Sequence, residues 1–299
     1  MIELLTIGMS GVPSHDLLLE GVFEPVALPS FYPDVSFGAI TVVDGILYIG
    51  YWNSFISYNP ASGEWKQLAD NPNGGMRSGL TVAHGGYIYV ISGQVSPANT
   101  TATELVSRYH IETNGWETFG TYTSLRRSGA VGVWGNAIYV YAGITGSSSA
   151  GQSNKLLKLD LSTRELTEVG TYGTVRHGLA FEQVGQYLYV FGGESQRWNT
   201  LDRLDLETLT WKRLSNAPVG RSYSGLGARG RYLYLAGGWT GAASTRDFIA
   251  YDTVEDTWKV LPQLPIAIHA TLVRVVNGQL FIVGGQTGNT ALKSLYLVA

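Results

Sequence analysis

Gly185–Gly193 reads GQYLYVFGG, five apolar or aromatic residues closed by a glycine pair. The same stretch returns as DGILYIGYW at Asp44–Trp52, GGYIYVISG at Gly85–Gly93 and GNAIYVYAG at Gly135–Gly143. It returns again as GRYLYLAGG at Gly230–Gly238 and NGQLFIVGG at Asn277–Gly285. The central aromatics Tyr48, Tyr89, Tyr139, Tyr189, Tyr234 and Phe281 are separated by 41, 50, 50, 45 and 47 residues. Self-similarity at this period marks a propeller or a solenoid.

The composition suits short strands joined by tight turns. Glycine is 38 of 299 residues, aromatics 12% and charged residues 14%, with no sustained 3.6-residue apolar period. The net charge of −3 comes without a basic run, which argues against nucleic acid. No apolar run reaches the roughly 18 residues of a membrane span. The start, MIELLTIGMS, lacks the charged front and apolar core of a secretory signal. A cytoplasmic or virion protein is therefore expected. The absence of cysteine excludes disulfides, thiolate metal sites and a cysteine nucleophile.

Outward from the quoted strand, each repeat has the same parts. An innermost strand begins with small residues, as in SGLTVAH, SGAVGVW and SGLGARG. A tight turn leads to the apolar second strand, and a variable loop follows. The third strand ends in Tyr58-Asn59, Tyr109-His110, Leu159-Asp160, Leu204-Asp205 or Tyr251-Asp252. The fourth carries Trp65, Trp116, Trp211 or Trp258, with Leu166 in one repeat. Four hairpin-linked strands make one antiparallel blade. The last repeat lacks a fourth strand, whereas GVFEPVALP at Gly21–Pro29 is a spare one with Phe23 at the Trp position. Pairing the two closes a ring and protects its edges. The expectation is an all-β, six-bladed propeller over 21–299 with an extension at 1–20. Seven blades remain the alternative if Glu3–Leu19 joins another blade.

The Gly-Gly strand end, the Tyr-Asp pair, the Trp about seven residues after that Tyr and the Arg before the innermost strand together resemble the kelch repeat. The resemblance covers Gly21–Ala299 and implies a kelch-type β-propeller. Relatives of this kind include adaptors, lectin-like binders, sugar mutarotases and copper radical oxidases, so fold alone does not assign an activity. The oxidase cofactor needs a tyrosine cross-linked to cysteine, which this chain cannot form. No cofactor and no metal site are expected.

Three features bear on function. Arg77, Arg126, Arg127, Arg176 and Arg221 each precede an innermost strand, and His177 adjoins Arg176. His269 holds the equivalent place in the last repeat. Antiparallel hairpins place these segments, and the loops between strands two and three, on one face. Two readings of the resulting ring of cations stand side by side. Each Arg bonds carbonyls of a neighbouring blade, or the ring binds a carboxylate or phosphate through bidentate forks. Trp52, Trp198 and Trp239 fall in the same loops without recurring at one repeat position, and suit a sugar or a protein contact. Glu194 and Asp247 lie there too, without an obvious partner. Asp160, Asp205 and Asp252 recur before a turn and read as turn-makers.

The leading expectation is a non-enzymatic binding propeller that recognises a protein or glycan through this face. A structural or receptor-binding protein of a virus particle is one form of it. A sialic acid mutarotase type of enzyme and a purely structural subunit of an assembly are the alternatives.

Overall fold

The computed structural model describes residues 22–96, 101–146, 151–194 and 198–298. The expected extension at 1–20 lies outside them. Six four-stranded antiparallel sheets stand in a ring. The first blade is Ala39–Val43, Ile46–Tyr51, Ser54–Asn59 and Glu64–Gln67. The second is Leu80–His84, Tyr87–Ile91, Leu105–His110 and Gly115–Thr121. The third is Ala130–Trp134, Ala137–Tyr141, Lys155–Asp160 and Leu166–Thr171. The fourth is Ala180–Val184, Tyr187–Phe191, Leu201–Asp205 and Trp211–Arg213. The fifth is Gly225–Arg229, Tyr232–Ala236, Phe248–Asp252 and Thr257–Val260. The sixth takes Leu272–Val276, Gln279–Val283 and Leu295–Val298 from the C-terminal end and Phe23–Pro25 from the N-terminal end. Phe23 faces Val298 and Pro25 faces Tyr296. The ring closes as expected, with six blades.

Six hydrophobic clusters hold the ring, one at each seam between neighbouring blades. A second strand therefore touches a neighbour on both faces, and Ala137–Tyr141 and Tyr232–Ala236 are buried at every position. This is why these strands read as unbroken apolar runs. The fourth-strand tryptophans lie half-buried on the seams and not in a central core. Trp65, Trp116 and Trp258 donate their indole N–H to Ala27, Ala69 and Ser215 carbonyls of the preceding blade's edge, at 3.0, 2.7 and 2.8 Å. Trp211 instead stacks on Tyr172 at 4.4 Å. Phe23 meets Phe248 of the preceding blade at 5.9 Å, so it does serve in the Trp place.

The glycine pair has unequal members. Its first position tolerates Ser92 and Ala142 at positive φ. Its second is always Gly where the pair exists. A Cβ on Gly143, Gly193 or Gly285 would sit 2.6–2.9 Å from the carbonyl oxygen of Arg127, His177 or His269, and φ there is 91° to 103°.

One further belt closes the ring on the axis. Phe37, Ser78, Ser128, Gly178, Tyr223 and Ala270 all have positive φ. Each N–H donates to the carbonyl of the preceding member, and Phe37 donates to Ala270. Six bonds of 2.5 to 3.0 Å make a closed circle at the entry to the innermost strands.

Candidate functional site

The belt is the floor of a mouth. Just outside it, the segments before the innermost strands pair with the loops that leave the second strands. Arg77 bridges Gln94, Arg127 bridges Ile144, His177 bridges Glu194, Ser222 bridges Trp239 and His269 bridges Gln286. Both loop sets thus share one face, as the hairpin argument requires.

These segments are extended, so consecutive side chains point opposite ways. The expected ring of cations is consequently two rows. Arg77, Arg127, His177 and His269 occupy the bridging position beside the axis. Arg126, Arg176 and Arg221 stand one residue earlier.

Arg176 and Arg221 are corrected from mouth residues to seam residues, being 2% and 0% exposed. Arg176 donates to Asp202 at 2.7 Å, to Thr200 Oγ1 and to the Gly192 carbonyl. Arg221 donates to the Gly237 and Asp247 carbonyls and lies 3.4 Å from the Asp247 carboxylate. Its Nε and Nη2 have no hydrogen-bond partner among the described residues, and burial lowers its pKa to about 10. Arg126 is half-buried and donates to the Ser124 carbonyl at 2.8 Å. Burial lowers the pKa of this guanidinium too.

The mouth row is chemically different. The Arg77 guanidinium lies over the Phe37 ring at 4.6 Å and the Trp52 ring at 5.3 Å. It donates to Gln94 Oε1. Among the described residues no carboxylate is within ion-pair distance of it. Arg127 is itself 6% exposed and donates to the Gly146 carbonyl at 2.8 Å, and burial lowers its pKa as it does for Arg126. His177 is buried, with Nε2 at 3.3 Å from Glu194 Oε2 and Nδ1 without a partner among the described residues. Glu194 thus has a partner that its sequence position did not announce.

Two residues escaped the sequence reading, Phe37 and Tyr223. Their rings meet edge to face at 5.1 Å over the belt. The signal was present: the belt position is Ser, Ser, Gly or Ala in four repeats and aromatic in two. Burial raises the Tyr223 pKa first and Glu194 raises it further, against Arg127 and Arg77. The phenol therefore remains a donor at neutral pH. His269 contacts Ser244 Oγ through Nδ1 at 2.9 Å and Gln286 through Nε2 at 2.8 Å. Burial lowers its pKa, which keeps the ring neutral.

A cavity of about 390 Å³ opens here, lined by Phe37, Glu194, Tyr223, Trp239, His269 and Gln286 among others. Trp239 packs 5.2 Å from His269. Trp198 does not join it. That side chain packs against Gly220 and Gly241 over the outer loops. Among the described residues no group of three His, Asp or Glu could hold a metal, and no helix is long and apolar enough to cross a membrane.

A closed ring of six four-stranded blades with a loop-built mouth defines a β-propeller. The chain belongs to the kelch-repeat family. The family model described as the KLHDC2/KLHL20/DRC7 Kelch-repeats domain matches residues 128–299, more than half of the chain. Kelch-like protein 15 of Danio rerio is 30% identical over 103 residues, 34% of this chain and 17% of that protein. A Kelch domain-containing protein of Sulfurisphaera tokodaii is 32% identical over 88 residues, 29% of this chain and 12% of that protein. The matched stretch is thus less than a fifth of either relative's length. The solved structure of YjhT superposes with a TM-score of 0.74 at 18% identity, covering 95% of this chain and 96% of its own. At that identity the likeness concerns the fold.

Proposed function

We propose that this kelch propeller is a non-enzymatic binding module whose loop-side mouth recognises a protein partner through an acidic group. A cell-surface receptor met by a virus particle is one partner of this kind. The carrying observation is Arg77. It lies within 4.6 Å of the Phe37 ring and 5.3 Å of the Trp52 ring, with no carboxylate of the described residues answering it. Arg127 stands beside it in the same row, and the Tyr223 phenol between them adds a donor. A guanidinium pre-oriented on aromatic faces loses little freedom on binding a carboxylate. Trp239 and Phe37 supply apolar area around that contact. Membership of the kelch family and the Kelch-like relatives support a protein partner.

The test is selection of random peptides on the immobilised protein, followed by titration of the winners. Acidic peptides are expected, and Arg77→Met is expected to weaken them about tenfold or more, as loss of a charged hydrogen bond does. Winners without acidic residues, or unaffected by Arg77→Met and Trp239→Ala, would refute the assignment.

A second reading has one observation behind it. Glu194 and Tyr223 line the mouth cavity and the buried His177 touches both, so acid–base groups of the kind anomer exchange requires stand together there. Acceleration of anomer exchange of an acidic sugar, followed by NMR and lost in Glu194→Gln, would favour this reading over pure binding.

A further inference from the structure

The channel has a second mouth, on the face away from the variable loops. Phe181 lines this mouth and also both small cavities under the belt. Its ring therefore stands where the three cavities meet, and the residues lining the second mouth differ from those lining the first. The second mouth holds a cavity of about 300 Å³.

Its walls follow from blade topology. Each innermost strand is the end strand of its sheet, so one edge of its backbone faces the axis with amides and carbonyls unpaired by any strand. Buried backbone groups need partners, and several edges here are capped by side chains. Arg274 reaches across the fifth blade to the Leu226 carbonyl at 3.2 Å and also meets its neighbour Val273 at 2.8 Å. Thr81 Oγ1 donates to the Ile40 carbonyl at 2.9 Å.

The cap on the third blade is the informative one. The Gln183 side-chain amide accepts from the Val133 N–H at 2.8 Å and donates to the Val133 carbonyl at 2.7 Å. A primary amide thus pairs with a free edge as another strand would. Among the described residues no side-chain amide lies in this way over the Val42, Ala83 and Val275 edges around the same cavity. Beside them stands Glu182, whose carboxylate touches Arg274 at 3.1 Å and takes no hydrogen bond from any other described residue. A carboxylate has room for several donors, so most of its capacity faces the cavity. The remaining lining mixes Val42, Val133 and Val275 with Thr41 and Thr81, whereas Val82 and Val131 are buried in the seam between the second and third blades.

We propose that this second mouth is a binding site for a small molecule carrying a primary amide or ureido group on a short apolar body. One face of the amide pairs with a free strand edge, as Gln183 does with Val133. Its remaining N–H donates to Glu182, and the apolar body lies among the valines. A primary amide supplies two donors and an acceptor in one plane. An amine lacks the acceptor and adds a cation beside Arg274. A carboxylate lacks the donors and faces Glu182.

The test uses butyramide, butylamine and butyrate as matched probes, followed by ligand-observed NMR on the full chain. Saturable binding of butyramide alone is expected at a pH well above 7, where Glu182 is ionised. It should persist in Arg77→Met, which alters only the other mouth. It should vanish in Ala83→Phe, which fills the cavity, and weaken about tenfold in Glu182→Ala, the loss of one charged hydrogen bond. Circular dichroism melting checks that each variant is folded, and if Ala83→Phe is not, Glu182→Ala decides alone. Preference for butylamine or butyrate, equal binding of all three, no saturable binding, or indifference to both cavity variants would each overturn the proposal.

Discussion

Arg176 and Arg221 stand at one repeat position in adjacent blades, yet their surroundings differ in kind. In the fourth blade Asp202 lies beneath the guanidinium and takes 2.7 Å contact from Arg176 and 2.5 Å contact from Arg213. Tyr172 donates a third bond to it at 3.0 Å. In the fifth blade the matching third-strand residue is Ile249, since Asp202 and Ile249 each stand three residues before the closing Asp205 and Asp252. Arg221 is left with two buried nitrogens, Nε and Nη2, unanswered by any described residue. A buried charge stabilises a fold only when its partners are complete; otherwise desolvation wins. The recurring Arg is thus a structural device in one blade and an incompletely satisfied group in the next.

That contrast can be broken by substitution. Arg176→Met should cost about 3 kcal/mol in urea unfolding, because it strips a partner from fully buried Asp202. Arg221→Met should cost nearly nothing or stabilise, since Ser224 still donates to the Gly237 carbonyl at 3.0 Å. Equal losses in the two variants would show that carbonyl contacts, and not the carboxylate, decide the matter.

A third buried charge sharpens the comparison through pH. Burial raises Glu182 to about 7, with Arg274 opposing. Its folded pKa lies above its unfolded value, so the folded state holds the proton more tightly. The resulting stabilisation is full below about pH 4.5 and disappears as pH rises through 7. Water reaches the carboxyl through the cavity, so the span should be about 2 kcal/mol and not more. Glu182→Gln should flatten that part of the stability–pH curve; an unchanged slope would assign it to another group.

The smallest effect is a coupling. Ile249→Asp supplies Arg221 with the carboxylate that Arg176 has, though Val260 stands where the fourth blade has Arg213. It should be tolerated better with Arg221 present than in an Arg221→Met background, by about 1.5 kcal/mol in a double-mutant cycle. Zero coupling would mean that the two side chains do not meet.

Much of this molecule was legible in advance. The repeat required propeller blades, and the missing last strand with the spare Phe23 segment required closure between the chain ends. The shared loop face followed from hairpin alternation. Side-chain phase before the innermost strands was not legible. Arg126 and Arg127 are adjacent letters, but one belongs to a seam and the other to a mouth. A one-residue shift reverses the side of an extended segment.

The sequence by itself therefore determined the architecture, because strand period and repeat period are local and recur six times. Only the tertiary structure decided which charges are answered. Glu182 meets Arg274, 92 positions away, across the channel, and Phe37 meets Tyr223 over the belt. Such pairs exist only once the ring has closed, and no local pattern encodes them.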